Sequence, residues 1–471
     1  MSDVFRAGAD RTTYRFWLLS AFLTLVSLLG GSSRADVPSL LILRPVAACV
    51  LVTGLYSLTR AHVSAYRFTF AMMAAALALI VLDLVPLPPG LWHLLPGREL
   101  MVDVDRAMGT PEVWRPLSMV PSGTWNALFA MLPPLAVLVL AAQLNPAEHR
   151  RLLPLLIGIA ALCGLLGLLQ VIGPGIGSFY AGAGEGPKMA TGMFANPNHH
   201  AAYLACAIPM LAVFAGTDVE KAETARVRTI AAVGGIFLLI PLVGITGSRA
   251  GVVLAAIALS ALPLVWRKPM AAKVARRRAP VRLDPRYVLG AGIAPASLVA
   301  AFLFYKANMA TRLLGVDPLA DYRFMIWRPI VSMVATYMPF GSGIGSFVEV
   351  YQIGEPLDLL RAQYVNHAHN DVFELVMTGG VPAVVLLAFA LIAWGRRAYT
   401  TTVQLVDTGY TPRQAIRLDR LGIIAIGLLG LASLTDYPLR TPSLACLLVL
   451  AALWTGTATA TARKSRLPDG N

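Results

Sequence analysis

A chain of 471 residues that is 57% hydrophobic and 14% charged is too apolar for a soluble globule of ordinary makeup, so a bilayer is its natural solvent. The formal net charge of +14 does not argue for nucleic acid, because a basic excess in such a chain reflects Lys and Arg retained in cytoplasmic loops. Apolar runs of about 17–23 residues recur, long enough to cross a hydrocarbon core, and they lack the short alternation of membrane strands.

In chain order the runs predict helices at 16–31, 38–58, 66–86, 124–144, 152–173, 199–216, 229–246, 249–266, 287–305, 372–395, 421–437 and 442–459. That is about twelve spans, an even number that puts both termini on one side. The first run follows Arg6, Arg11 and Arg15 and leads into further spans without an A-x-A site, which reads as a transmembrane helix rather than a cleaved signal. Cys49, Cys163, Cys206 and Cys446 fall inside apolar runs with no ligand spacing and read as small buried hydrophobes.

Lys and Arg collect in one set of connections, among them Arg60 and Arg67, Arg150 and Arg151, Lys221 to Arg228, Arg267 to Arg286 and Arg396 to Arg420. These are expected to be cytoplasmic, together with both termini. The opposite set holds the two longest loops, 87–123 and 306–371, where Glu99, Asp103, Asp105, Asp317, Asp321, Glu349 and Glu355 offset the arginines. The fold class expected is therefore an all-α polytopic membrane protein with one transmembrane domain over 1–471. It carries a periplasmic loop at 87–123 and a large periplasmic loop at 306–371 between helices 9 and 10.

Polar residues cluster on that outer side. Thr191-Gly-Met-Phe-Ala-Asn-Pro-Asn-His-His200 leads into a helix; Asn198 is suited to cap it, and Asn196 and Asn198 are equally candidates to hold an anionic ligand at a helix N-terminus. Arg249, in Ile245-Thr-Gly-Ser-Arg-Ala-Gly251, has too little loop to leave the membrane, so it either snorkels or binds an anion. Asp321-Tyr-Arg-Phe-Met-Ile-Trp-Arg328 is expected to start an amphipathic helix with Met325, Ile326, Ile330 and Val334 on one side, and Arg323 and Arg328 are either a solvated face or ligands.

Gly341-Ser-Gly-Ile-Gly-Ser-Phe347 lacks the strand and Lys-Ser/Thr of a nucleotide loop and reads as a tight turn. Asn366-His-Ala-His-Asn370 offers two imidazoles without further metal ligands, which favours acid/base chemistry over metal binding. Glu374 stands one turn beyond Asn370, placed to orient the histidine, and Asp436 and Arg440 close another outer turn.

An ordered series of short motifs then resembles the O-antigen ligase and Wzy-type polysaccharide polymerase family. It comprises Gly192-Met-Phe-Ala-Asn-Pro-Asn198, Gly247-Ser-Arg-Ala-Gly251, Arg323 with Trp327, Pro339-Phe-Gly-Ser-Gly-Ile-Gly345, and His369-Asn370 with Gly379-Gly380 downstream. The resemblance implies a glycosyltransferase C-like membrane fold and transfer of a glycan from undecaprenyl diphosphate to a glycan or lipid A-core hydroxyl at the periplasmic face of the bacterial inner membrane, without cofactor or metal. By the same resemblance Arg249 and Arg323 grip the diphosphate and His369 is the base. Asn196, Asn198, Arg328, His367, Asn370 and Arg440 are expected to contact substrate. The alternatives are a polysaccharide transporter or flippase, disfavoured by spans nearly free of charge near mid-membrane, and a non-catalytic scaffold. No nucleic-acid partner is expected.

Overall fold

The computed structural model describes residues 2–172, 177, 179–180, 189–217, 222–266, 322–403 and 413–456. The helix expected at 287–305, the basic stretch 267–286 and the first part of the 306–371 segment lie outside the described residues. The described residues are mostly helical: α1 (Ser2–Leu29), α2 (Leu40–Tyr56), α3 (Arg60–Ala65), α4 (Arg67–Asp83), α5 (Pro89–Trp92), α6 (Glu99–Ala107), α7 (Pro121–Ala130), α8 (Leu132–Ala141), α9 (Pro146–Ile172), α10 (Pro197–Ala215), α11 (Ala222–Ile245), α12 (Arg249–Ser260), α13 (Leu262–Val265), α14 (Tyr322–Tyr337), α15 (Phe347–Ile353), α16 (Asp371–Val403), α17 (Arg413–Ala432) and α18 (Pro442–Trp454). Beside them stands a two-residue antiparallel pair, β1 (Pro86–Leu87) with β2 (Arg115–Pro116), in the register Pro86 opposite Pro116.

Among the described residues four stretches are long and apolar enough to cross a membrane: Pro121–Ala141, Pro146–Ile172, Ala222–Ile245 and Asp371–Thr401. Shorter apolar helices accompany them at Tyr14–Leu29, Leu40–Tyr56, Arg249–Ser260 and Pro442–Trp454. The span expected at 124–144 is two helices that meet at Met131, with Pro133 and Pro134 in the first turn of α8, where a missing N–H is tolerated. The span expected at 421–437 ends at Ala432. Tyr437 precedes Pro438 and is pushed out of the helical region, at φ −122° and ψ 52°, so Asp436 stands in a turn and not on a helix.

The bundle is built around α10, which is buried along almost its whole length and packs against α9, α11, α12 and α17. Small residues permit the close approach: a Cβ at Gly251 would lie 2.4 Å from the Ala201 Cβ. This contact sets the first turn of α12 against the start of the second turn of α10. A second apolar cluster, including Ile326, Ile330, Met333, Tyr337, Phe347, Tyr351 and Met377, forms under α14 and α15. The described part of the expected large loop is thus folded over its own core. The buried stripe of α14 is Ile326, Ile330, Met333 and Tyr337; Met325, expected on that side, is exposed.

The glycine segment 341–345 is a turn with a structural task. Pro382 inside α16 has no N–H, which leaves the Thr378 carbonyl without its helical donor, and Gly380 breaks the helix at φ 57° and ψ −154°. The Gly343 N–H donates to the Thr378 carbonyl at 2.8 Å and the Ser342 N–H to the Met377 carbonyl at 3.1 Å, while the Val381 N–H donates to the Pro339 carbonyl at 2.8 Å. Gly341, Gly343 and Gly345 all have positive φ. The 87–123 segment and the end of α4 clamp this turn: the buried Arg98 donates to the Leu117 and Gly341 carbonyls at 2.9 and 3.0 Å, and the Ile344 N–H donates to Oδ2 of Asp83, the last residue of α4, at 2.7 Å.

Candidate active site

The site is assembled where the entry to α10, the turn before α16 and the turn between α17 and α18 meet. The entry to α10 is held first. Gln170 of α9 accepts from the Thr191 and Gly192 N–H groups at 3.0 and 2.7 Å through Oε1, and donates to the Gly192 carbonyl at 3.1 Å through Nε2. The helix cap is Asn196, in an extended conformation with Pro197 at the first helical position, and its Oδ1 accepts from the Asn198 N–H at 2.8 Å. Capping therefore falls to Asn196 rather than to Asn198 as expected, because an N-cap must be non-helical while Asn198 lies inside the helix. The amide nitrogens of both side chains point the same way, donating to Asp436 Oδ2 at 3.0 Å from Asn196 and 2.6 Å from Asn198.

Asp436 is the hub. Its Oδ1 lies 3.2 Å from His369 Nδ1 and accepts from the Tyr437 N–H at 3.0 Å. Arg323 Nη1 stands 3.8 Å from Oδ2, and His199 Nε2 stands 3.9 Å from Oδ1. The carboxylate is 2% exposed, and burial alone would raise its pKa. The His369 hydrogen bond and the neighbouring His199 and Arg323 outweigh that and hold it well below the usual carboxylate range. A permanently charged Asp436 accepts the Nδ1 proton of His369, which leaves the Nε2 lone pair as the basic one.

His369 is the one non-glycine residue with positive φ among the described residues, at +49°. A left-handed residue of this kind persists when its surroundings over-determine it, and they do. The Ala368 N–H donates to Glu374 Oε2 at 3.0 Å, and Trp327 Nε1 of α14 donates to the Ala368 carbonyl at 3.0 Å. On the other side Asn370 caps α16, accepting from the Val372 and Phe373 N–H groups while its Nδ2 donates to the Leu434 carbonyl. Trp327 of the Arg-Phe-Met-Ile-Trp segment thus ties the helix that carries Arg323 to the histidine turn.

Glu374 does not orient His369. Both of its oxygens face His367 Nδ1, at 3.0 and 3.1 Å, and Arg440 Nη2 approaches at 3.5 Å while Arg440 Nε lies 3.1 Å from Asp371 Oδ1. Burial works against the Arg440 charge, but Glu374 and Asp371 more than compensate and raise its pKa. The Tyr437 ring separates the groups, with ring centroids 4.4 Å from His367, 4.9 Å from His369 and 5.0 Å from His199.

Of the residues expected to contact substrate, the structure gathers Arg323, His369, Asn196 and Asn198 on Asp436, and His367 and Arg440 on Glu374. Arg249 opens α12, capped by Ser248 Oγ, which accepts from the Gly251 N–H at 2.9 Å. The Gly251–Ala201 contact places that turn against α10 three residues beyond Asn198. Two residues stand apart. Arg328 is exposed and leaves α14 about 140° around the helix from Arg323, and the Asn370 amide is taken up by its cap and by Leu434. The sequence does not single out His199 and Tyr437, although His199 sits in the quoted Asn-Pro-Asn-His-His segment; a histidine in the first turn of a capped helix carries no signal of its own.

Fold and site together define an integral membrane protein with a histidine, carboxylate and arginine site at one end of a helical bundle. Residues 234–388 match the family model described as O-antigen ligase. The matched segment contains Arg249, Arg323, His367, His369 and Glu374, and its similarity supports a place in the O-antigen ligase family, which implies a glycosyl-transferring enzyme of the bacterial membrane. Asn196, Asn198, Asp436 and Arg440 lie outside the matched residues. No curated protein matches the chain.

Proposed function

We propose that this protein transfers a glycan from undecaprenyl diphosphate to a hydroxyl of a glycan or lipid A-core acceptor, at the periplasmic face of the inner membrane. The observation that supports it best is the shared carboxylate: Asp436 holds His369 through Nδ1 at 3.2 Å and Arg323 at 3.8 Å, which couples a base to a cation suited to phosphate. The acceptor oxygen attacks the anomeric carbon as His369 Nε2 takes its proton, and the bond from that carbon to the phosphate oxygen breaks with its electron pair going to the diphosphate. General-base assistance of this kind is typically worth about 10²–10⁴ in rate. Arg323 and Arg249 meet the growing charge; a planar guanidinium binds phosphate oxygens bidentately, and groups already in place favour the transition state over the ground state.

The test is to express His369→Ala and Arg249→Ala beside wild type in a strain deleted for the gene, at equal membrane levels, and to analyse surface glycan and lipid-linked intermediates. Loss of glycan with accumulation of undecaprenyl-diphosphate-linked material supports transfer. Single repeat units in that pool indicate a polymerase and long chains a ligase. Normal glycan in both variants sinks the assignment.

A further inference from the structure

The 87–123 segment takes no part in the transfer reading, and it carries two charges inward and much of its apolar surface outward. Arg98 is 1% and Asp105 2% exposed. Arg98 donates to the Pro96, Leu117 and Gly341 carbonyls, and Asp105 Oδ2 accepts from Arg115 Nε at 2.6 Å. The Arg115 guanidinium stands 5.7 Å from the Trp92 ring centroid, and Trp92 Nε1 donates to the Pro116 carbonyl at 2.8 Å. These contacts and the β1–β2 pair fix α5, α6 and β2 as one unit. On its outside, Leu94 is 78%, Met108 70% and Trp114 62% exposed. A single exposed leucine is ordinary on a soluble surface, but a small unit that buries paired charges while it presents large apolar side chains is built for surroundings other than water alone.

Helix α6 divides those surroundings by face. At about 100° per residue, Leu100, Val104 and Met108 follow one another at intervals of four and form one exposed apolar stripe that ends at the C-cap. Val102 and Asp105 are the buried side. Glu99, Asp103 and Arg106 share a third, exposed face, on which Arg106 pairs with Asp103 at 3.0 Å. Two exposed faces of opposite polarity on one helix suit a boundary between lipid and water. The ends of the segment identify the apolar side as lipid. The segment leaves α4 beside the exposed Val81, Leu82 and Val85, and it runs into the span Pro121–Ala141. The first turns of that span expose Trp125, stacked on Phe129 with ring centroids 5.8 Å apart, and aromatic rings at the end of a span mark the headgroup level.

We propose that α6 is an interfacial helix: it lies along the bilayer surface at the end of the bundle that bears the site, with Leu100, Val104 and Met108 in lipid and Glu99, Asp103 and Arg106 in water. Its partner is the lipid surface, engaged through apolar area and not through lipid charge. The inference stands apart from the transfer reading. Arg98, the residue before α6, holds the glycine turn, and that turn holds the break in α16. The membrane surface thereby becomes a fixed reference for the helix that carries Glu374.

The test uses full-length protein in phosphatidylcholine vesicles, spin-labelled at Val104→Cys or at Arg106→Cys, positions about 160° apart around the helix. Cys49→Ala serves as background, because Cys49 is the exposed native thiol and Cys163, Cys206 and Cys446 are buried. Collisions of the label with oxygen, which concentrates in lipid, are compared with collisions with a water-soluble nickel chelate. The oxygen-to-nickel ratio should be several-fold higher at 104 than at 106. Met108→Cys, on the same stripe, reads the same quantity where the 104 variant fails to accumulate. A nickel-accessible label on the stripe would place it in water, and a stripe label shielded from both agents would place it against protein; either result overturns the proposal. Oxygen preference at both 104 and 106 overturns it too, since the helix would then be submerged and not at the surface.

Discussion

At the scale of single residues the site depends on Asp436, a carboxylate buried in a turn and satisfied by five groups from four parts of the chain. Asp436→Asn keeps the shape and removes the charge that fixes the His369 tautomer, so activity should fall about 10²–10⁴-fold at unchanged membrane level, measured as initial transfer rate. The same group makes a signed prediction for stability. Its pKa is depressed in the folded protein, so its contribution is present above the ordinary carboxylate value of about 3.9 and lost only as pH falls through the lower folded value. The melting-temperature gap between wild type and Asp436→Asn in detergent should therefore stay level from about pH 5 to 8; a gap that closes on going from pH 8 to 5 would show that the pKa of this carboxylate is raised in the folded protein rather than depressed. Arg249→Lys keeps charge but loses the planar fork, and in the complementation assay it should resemble Arg249→Ala more than wild type.

At the scale of elements, the break in α16 and the glycine turn are a matched pair. The absent N–H of Pro382 and the kink at Gly380 free two carbonyls, and the turn at 341–345 supplies the donors. Gly380→Ala should be costly on two grounds: its backbone lies in a region that disfavours side chains, worth about 1–3 kcal/mol, and its Cβ would stand 2.3 Å from the Pro339 carbonyl oxygen. A fall in melting temperature with loss of activity is expected, because the helix that follows Asn370 carries Glu374. Gly251→Leu should act similarly by forcing α12 from α10, at about 1–3 kcal/mol of overpacking, and Gly251→Ser should be milder. The tight turn was legible in the sequence, since glycines in that number without a strand or a phosphate-binding lysine have little else to do. Its docking against α16 was not, because the freed carbonyl of Thr378 belongs to a segment 35 residues away that only a folded chain brings near.

At the scale of the whole molecule, Arg98 joins the 87–123 segment to the glycine turn with hydrogen bonds that span up to 243 positions. Arg98→Ala should lower the melting temperature by removing charge-assisted bonds worth about 1.5–3 kcal/mol each, leaving the Pro96, Leu117 and Gly341 carbonyls short of a donor, while His369 and Asp436 keep their contacts. Composition and run length alone settled that the bulk of this chain is apolar helix fit for a bilayer, since hydropathy is a property of each segment by itself. Local chemistry likewise marked the Asn-Pro-Asn, Gly-Ser-Arg and His-Ala-His-Asn segments, because a polar group at the end of an apolar run must be explained within a few residues. Which carboxylate serves which histidine was beyond the sequence. Glu374, seven positions from His367, and Asp436, 67 positions from His369 and 240 from Asn196, are matched by the packing of three helix ends around Tyr437, and no periodicity carries information across such separations; only the tertiary structure decided it.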